Sequence, residues 1–468
     1  MALVPVPGSQ LTAEIGRPDA IEGAIPAAVR SLLETLWSNG QAAYVVGGSL
    51  RDVVLGRTPD DWDLASNALP ERIVELVPGA IYENAFGTVG IRRDGTTFDI
   101  TTFRTDHDYA DFRRPHRVEF GDTIELDLAR RDFTVNAMAW GARPGDPPGF
   151  VDPYDGMADA RARMLRAVGD PRARFEEDAL RMVRAVRLSA TLGFGVEAGS
   201  LAGIRARADL VAHLSGERIA TELGKLLAAP VPSTGLRLLS DTGLLAPISR
   251  DLAAQRGIPQ NKIEGEDLWD HTLRSVDAVP DGRPVVRLAA LLHDIGKPAT
   301  FADGHFVGHD SVGAVLAVAF LDRLREPRAV RERVVELVRH HMFSYESNWS
   351  AAAVRRFIGK MAAIGPGMLE ELLELREADN VGSGLPAGAG LLDELRARVA
   401  AELAAEVVLD RGRLAVDGTD LMSELGLPAG PLLGRILDDL LEAVIADPAQ
   451  NERPTLLLLA QAMLTQDR

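Results

Sequence analysis

The sequence predicts an α+β fold, with a mixed α/β head first and helical domains after it. Three observations carry this. Between residues 26 and 165, short β-branched or apolar runs alternate with helical spacing and glycine turns. From Pro171 onward Leu, Ala, Arg and Glu dominate, with Gly and Pro marking short gaps. The length, 468 residues, leaves room for several domains, each with its own core. The expected division is a loose Pro- and Gly-rich lead-in over residues 1–25 and the α/β head over 26–165. A helical neck over 166–260, a second helical domain over 261–385 and a helical tail over 386–468 follow.

Taken in order, residues 26–38 carry apolar side chains at helical spacing (Val29, Leu32, Leu33, Leu36). The run Ala42–Val46 reads as a buried strand closed by Gly47-Gly48. Further strands are expected at Asp61–Leu64, Thr88–Arg92, Thr97–Phe103 and Val118–Phe120, and one continuous helix through Glu177–Arg184.

Composition narrows the chemistry. Apolar residues make up 46% and charged residues 25%, as in ordinary globular proteins. No apolar run is long enough to cross a bilayer, and no basic-then-apolar leader is present, so a cytoplasmic protein without membrane partners is expected. Cysteine is absent, which excludes disulfides and thiolate metal sites; any metal must rest on His and carboxylate. The net charge of −17 argues against nonspecific nucleic-acid binding over the whole surface. The arginines between Arg161 and Arg187 form one basic stretch, which on charge alone reads as a solvated helical face beside Glu176, Glu177 and Asp178.

Five patterns point to nucleotide chemistry. Gly47-Gly48 after a strand and before a helix lets backbone approach a phosphate, and the helix start adds partial positive charge. Asp61 and Asp63 flank Trp62, so in a strand both carboxylates face one way, as paired Mg²⁺ ions require. Asp99 sits in mid-strand, where Asp is disfavoured without a reason. In Arg130–Ala137, the polar Arg131, Asp132 and Asn136 alternate with apolar residues and suit contact with triphosphate and ribose; a capped helix entry is the plainer reading. The segment Glu177–Arg184 sets Asp178 one helical turn from Arg181, with Arg184 on the same side. A carboxylate accepts from an exocyclic amine while a guanidinium donates to a ring nitrogen. That pair suits cytosine and adenine and leaves guanine and uracil mispaired. The plainer alternative is a surface ion pair.

The ordered set GGSLRDVVLGRTPDDWDLAS, FGTVGIRRDGTTFDITTFRTD, DFRRP, RRDFTVNAMA, DPYDG, EDALRMVRAVR and RIATEL resembles the class II tRNA nucleotidyltransferase and bacterial poly(A) polymerase family. The resemblance implies a polymerase-β-like nucleotidyltransferase head, with Asp61 and Asp63 as Mg²⁺ ligands and Asp99 as third acid. It implies that Gly47, Gly48 and Arg51 hold phosphates and that Arg131, Asp132 and Asn136 face the nucleotide. Asp178 and Arg181 would then read the base with Arg184 beside them, while Arg218 and Glu222 support. It also implies tRNA, ATP and CTP as partners, with no DNA.

Within the family, poly(A) polymerases carry a Gly-Arg-Arg-Phe-like element where this chain has Pro78–Gly87, and CC-adding enzymes lack part of a flexible loop that Asp111–Arg114 retains here. Full CCA addition is therefore expected, with the loop residues Asp111 and Arg114 in play. Poly(A) synthesis and CC-only addition remain alternatives.

A second pattern lies downstream: His271, then His293-Asp294-Ile295-Gly296-Lys297, His309, His340-His341 and Asp379. Most of the nine histidines fall in this stretch. The ordered set resembles HD-family metal phosphohydrolases. That resemblance implies one divalent ion on His271, His293, Asp294 and Asp379, with His309 and His340 completing a second site across Asp294. His with carboxylate suits Mn, Ni, Co or Fe, and Lys297 would steady a substrate phosphate. An inactive helix bundle kept for tRNA binding is the alternative; a further one is a phosphohydrolase whose N-terminal domain only binds RNA. The tail from Leu414 on resembles the tRNA-body-binding tail of HD-bearing members.

Overall fold

A computed structural model describes residues 18–466 except 60, 83–86, 94–95, 110–114, 122, 261 and 406; for 18–20, 96, 105–109, 115–120 and 466 it describes backbone alone. The chain divides into two compact units, residues 1–250 and 251–468. No helix among the described residues is long and apolar enough to cross a membrane.

The first unit is built on a seven-stranded sheet. Its strands are β1 (Ala43–Val46), β2 (Asp63–Ser66), β3 (Ala80–Tyr82), β4 (Thr88–Arg93) and β5 (Thr96–Thr102), joined later by β8 (Ala139–Ala142) and β9 (Gly149–Val151). Between them β6 (Arg104–Tyr109) and β7 (Pro115–Phe120) form a separate hairpin. The order is β3-β4-β5-β2-β1-β8-β9, and only β2 and β5 run parallel within it. One face buries Tyr44, Val46, Ala65, Phe103, Leu128 and Val168, a period-2 pattern that makes burial set the register.

Register decides what the sheet presents. β1 ends at Val46 because Gly47 leaves the strand with φ 81°. Val46 pairs with Asp63, so β2 begins there and Asp61 lies just outside it. The expected strand at Asp61–Leu64 is thereby shifted to Asp63–Ser66. The β8 strand escapes sequence reading because Ala-Trp-Gly-Ala has little β preference. Its Gly141 is nonetheless required: a Cβ there would stand 2.1 Å from the Ala43 carbonyl oxygen.

Helices complete this unit. The expected helix through Glu177–Arg184 is broken. Pro171–Glu177 ends at Asp178, whose backbone is extended (φ −147°, ψ 103°), and Leu180–Leu192 starts after it. The break arises because the Asp178 carboxylate accepts the Leu180 amide N–H, a local bond that competes with helix continuation. Helices Gly216–Leu227 and Pro232–Asp241 pack on Leu180–Leu192 through Leu223, Leu226, Leu236 and Leu239.

The second unit is helical. Leu268–Ala278, Pro284–Leu292, Lys297–Thr300, His309–Leu324, Arg328–His340 and Met368–Gly382 surround a core that includes Trp269, Leu291 and Ile295. Ala351–Ile364 and Leu392–Ala404 close a second cluster around Val354, Ile358 and Leu395. Gly418–Leu425, Pro431–Ala446 and Arg453–Gln466 form a third around Leu421, Leu440 and Leu456.

Candidate functional site

Two separate clusters of chemically capable residues stand out, one in each unit. In the first, the antiparallel pairing of β1 with β2 brings the Gly47 turn beside Asp63, and the parallel pairing of β2 with β5 sets Asp63 directly opposite Asp99. Neighbours in such a row project from the same face. A Cβ on Gly47 would lie 2.9 Å from Arg131 Nη1 and 3.8 Å from Asp63 Oδ2. Glycine is thus required both for its positive φ and for the close approach of that arginine and carboxylate. Asp63 is open to solvent along one side, yet its pKa is raised: burial of the carboxyl among protein atoms is the main cause, and the charges of Asp61 and Asp99 add to it against Arg131. Crowded acids of this kind, with only oxygen donors, fit a hard divalent cation.

The other expected nucleotide-contacting residues are linked side chain to side chain. Arg51 Nη1 donates to Asn136 Oδ1 at 2.8 Å, and Asn136 Nδ2 donates to Asp132 Oδ1 at 3.1 Å. Asp132 Oδ2 faces Arg184 Nε at 3.2 Å without a well-aligned hydrogen bond. Burial pushes the Asp132 carboxyl up, but the Arg184 charge and the bonds from Asn136 and the Phe133 amide outweigh it and hold it below the usual range. The charges of Asp132, then Glu222, Asp178 and Asp63, raise the Arg184 guanidinium pKa. Arg184 therefore electrostatically joins the sheet acids to the helical half of this unit.

The Asp178 and Arg181 side chains each engage other partners, while the Arg181 amide donates to the Asp178 carbonyl. Asp178 Oδ2 accepts from Arg218 Nη2 at 2.7 Å. Arg181 is buried and donates to Glu177 Oε2 and to the carbonyls of Arg174 and Arg130. The break places Asp178 just before the helix Leu180–Leu192 and Arg181 within its first turn. Asp111 and Arg114 lie outside the described residues.

One buried residue beside the candidate site escaped sequence reading. Asp127, on the helix Ile124–Ala129, is buried and holds both Arg130 (2.5 Å) and Arg131 (3.0 Å). It thereby aims Arg131 at Gly47. The available signal was an acid three and four residues ahead of two arginines. Glu222 likewise accepts from Arg187 at 2.9 Å.

In the second unit, the ligand atoms of His271, His293 and Asp379 lie within 4.8 Å of one another, as do those of Asp294, His309 and His341. The structure turns His341, not the expected His340, toward His309. His309 and His341 Nε2 are 3.3 Å apart, whereas His340 Nε2 stands 3.4 Å from Glu336 on its own helix. Successive helical residues point about 100° apart, so only one of the His-His pair faces inward, and the pattern alone does not say which.

Several features fit a metal here. The Nδ1 atoms of His293, His309 and His341 each contact a backbone carbonyl three residues back, at 2.7–2.8 Å. A carbonyl only accepts, so Nδ1 carries the proton and Nε2 presents its lone pair inward. Bonds of about 2.1 Å set two ligands of one ion about 3.0–3.4 Å apart. The His271–His293 Nε2 separation is 3.1 Å, and Asp294 Oδ2 lies 3.2 Å from each. Asp294 Oδ1 faces His309 at 3.4 Å and His341 at 3.7 Å, so this carboxylate spans both groups. Asp294 Oδ2 is buried, and beside the two histidines it meets the Lys297 ammonium at 2.6 Å, so positive charge is already drawn to this oxygen. Burial holds the His293 pKa down, whereas at His271 the hydrogen bonds with Asp294 and Asp379 outweigh burial and raise it.

Comparison with known proteins gives three family matches. Residues 43–166 match the poly A polymerase head domain, residues 193–256 the probable RNA and SrmB-binding site of polymerase A, and residues 268–382 the HD domain. The CCA-adding enzyme of Geobacillus kaustophilus is 35% identical over 90% of this chain and 93% of its own length. That of Levilactobacillus brevis is 32% identical over 92% of this chain and 96% of its own. Among solved structures, the Bacillus stearothermophilus CCA-adding enzyme in complex with CTP aligns with TM-score 0.69 and 29% identity, covering 95% of this chain and 99% of that one.

Proposed function

The chain belongs to the CCA-adding enzyme family, and from that premise we propose that it extends the 3′ end of tRNA by C, C and A, taking CTP and ATP, through two-metal nucleotidyl transfer. The observation that carries this reading is the register of Asp63 opposite Asp99, beside Asp61 and the Gly47 turn. In the transfer, the RNA 3′-oxygen bonds to the α-phosphorus of the triphosphate, the bond to pyrophosphate breaks, and the hydroxyl proton is lost. Mg²⁺ ions on Asp61 and Asp63, with Asp99 as third acid, would activate that hydroxyl and stabilise charge at phosphorus.

The remaining steps belong to the chain. Gly47 and Gly48 let the backbone meet phosphate, and Arg51, Arg131 and Arg184 supply positive charge to the triphosphate. Asn136 and Asp132 hold Arg51 and Arg184 in place and complete the nucleotide face. Base choice rests on Asp178 and Arg181, which accept from the amine and donate to the ring nitrogen of cytosine or adenine. For this, Arg181 exchanges its carbonyl partners, and Asp178 its Arg218 contact, for the base edge. Asp111 and Arg114 act as the flexible loop of the same reaction. Within this reading the protein is cytoplasmic, binds neither DNA nor membrane, and divides into a head (26–165), neck (166–260), HD domain (261–385) and tRNA-binding tail (386–468).

A second activity is supported by the convergent His and Asp ligands of the second unit. We propose a metal phosphohydrolase there, using Mn, Ni, Co or Fe, that removes phosphate from damaged RNA 3′ ends: water adds to phosphorus and the ester bond breaks. His271, His293, Asp294 and Asp379 form one ligand set, and His309 with His341 extends it across Asp294.

The test is a tRNA lacking its CCA end, incubated with Mg²⁺ and with CTP and ATP together or singly, read at nucleotide resolution. Growth by three residues that then stops, with CTP required first, is expected. Asp61→Ala with Asp63→Ala abolishes it and spares the phosphohydrolase; His293→Ala with Asp294→Ala does the reverse. A long ladder with ATP alone, or arrest after two C, would sink full CCA addition.

A further inference from the structure

Three cations from three different elements surround the two carboxylates of the second site. Lys297 Nζ lies 2.6 Å from Asp294 Oδ2, and Arg376 Nη1 donates to Asp379 Oδ2 at 3.3 Å. The third, Lys262, comes from the loop before the helix Leu268–Ala278, outside the stretch that matches the HD domain. Its Nζ donates to Ser383 Oγ at 2.8 Å and stands 3.7 Å from Asp379 Oδ1. Its side chain remains one-third exposed, against 12% for Asp379, so it sits on the solvent side of the buried ligands.

Charge balance gives this arrangement a meaning. With the histidines neutral, one divalent ion balances Asp294 and Asp379 completely. The three side-chain cations are then left without a counter-charge, and a second ion on the Asp294, His309 and His341 group deepens the excess. The contacts then left are the Phe306 ring for Lys297, the Phe343 ring for Arg376 and the Ser383 hydroxyl for Lys262, so of the three it is Lys262 that keeps a second hydrogen-bonding group beside its charge. An ammonium and a hydroxyl held side by side at the rim of a cationic site form a donor pair suited to phosphate oxygens.

We propose that Lys262, steadied by Ser383, is the residue that anchors the phosphate group of the substrate in the second site. This rests on the reading of that site as a metal phosphohydrolase. The anchor binds a non-bridging oxygen and takes no part in bond breaking, so its loss acts on binding.

The test uses the full chain loaded with Mn²⁺. Inorganic phosphate is titrated by calorimetry, metal content is measured alongside, and p-nitrophenyl phosphate hydrolysis is followed separately. K262Q is expected to weaken phosphate binding by about tenfold and to raise KM more than it lowers kcat, with metal content unchanged. K262R is expected to restore most of the affinity. Unchanged phosphate affinity in K262Q, absence of phosphate binding by the wild-type chain, or loss of metal from K262Q would each overturn the assignment. Phosphate binding that depends on Lys262 without any ester hydrolysis would keep the anchor and discard the phosphohydrolase. Hydrolysis that ignores Lys262 would do the opposite.

Discussion

Asp127 is 1% exposed and carries two arginines, Arg130 and Arg131, on its two oxygens. Burial alone would raise its pKa, but the charges of Arg131 and Arg130 and their hydrogen bonds outweigh this and lower it from the ordinary value of 3.8. A lowered folded-state pKa means the stabilisation is fully present above that ordinary value and is lost as pH falls through the folded one. Asp132 acts in the same direction. The first unit should therefore weaken as pH drops below about 4. Asp127→Asn should lower its stability by about 3 kcal/mol at pH 7, because two half-buried guanidinium groups lose their counter-charge. The same variant should flatten the acid dependence. Urea unfolding followed by hydrogen exchange of the β1 and β8 amides, at pH 7 and pH 3, checks both; an equal acid loss in the variant would remove Asp127 from the account.

At the scale of elements, close backbone approach fixes the second site. A Cβ on Gly296 would stand 2.2 Å from the His309 carbonyl oxygen and 2.5 Å from the Gly313 amide nitrogen. Backbone cannot yield as a flexible side chain does, so Gly296→Ala must push the start of the His309–Leu324 helix away. The expected cost is about 2–3 kcal/mol, with weaker metal binding at His309 and His341 in particular. Gly224, in the helix Gly216–Leu227, has nothing within 4 Å of its ideal Cβ. Gly224→Ala should therefore be neutral or stabilise by up to about 1 kcal/mol. Thermal unfolding with Mn²⁺ titration of both variants tests the contrast, and equal behaviour would refute it. The helix break at Asp178 belongs to this scale too. Glu-Asp-Ala-Leu-Arg holds no glycine or proline to announce it, and only the local bond to the Leu180 amide ends the helix.

For the whole molecule, each compact unit holds its own cluster of candidate metal ligands, with oxygen donors in the first and His with Asp in the second. Different donor sets select different ions. Mn²⁺ at a hundred times its dissociation constant should stabilise the second unit by about 2.7 kcal/mol. His271→Ala with Asp379→Ala should abolish that gain and leave Mg²⁺-dependent nucleotide addition unchanged. Differential scanning calorimetry together with the extension assay reads both; a fall in addition would show that the two sites are not separable.

The candidate residues of both sites were legible in the sequence because they stand in short local patterns. Gly47-Gly48, Asp61 with Asp63, the mid-strand Asp99 and His293-Asp294 are each a few residues long, and residue type limits what each can do. The α+β order of the chain was legible for the same reason, through runs of period 2 and 3.6. What only the tertiary structure decided was which distant groups meet. Asp63 faces Asp99 across 36 residues because two parallel strands settle in one register. His341 replaces His340 because one phase of a helix faces inward. Asp178 meets Arg218, 40 residues away, and Arg181 meets the Arg130 carbonyl, 51 residues away. Lys262 reaches Ser383 from 121 residues away. Such contacts are set by packing of buried faces, and packing depends on the whole unit at once rather than on any window of the chain.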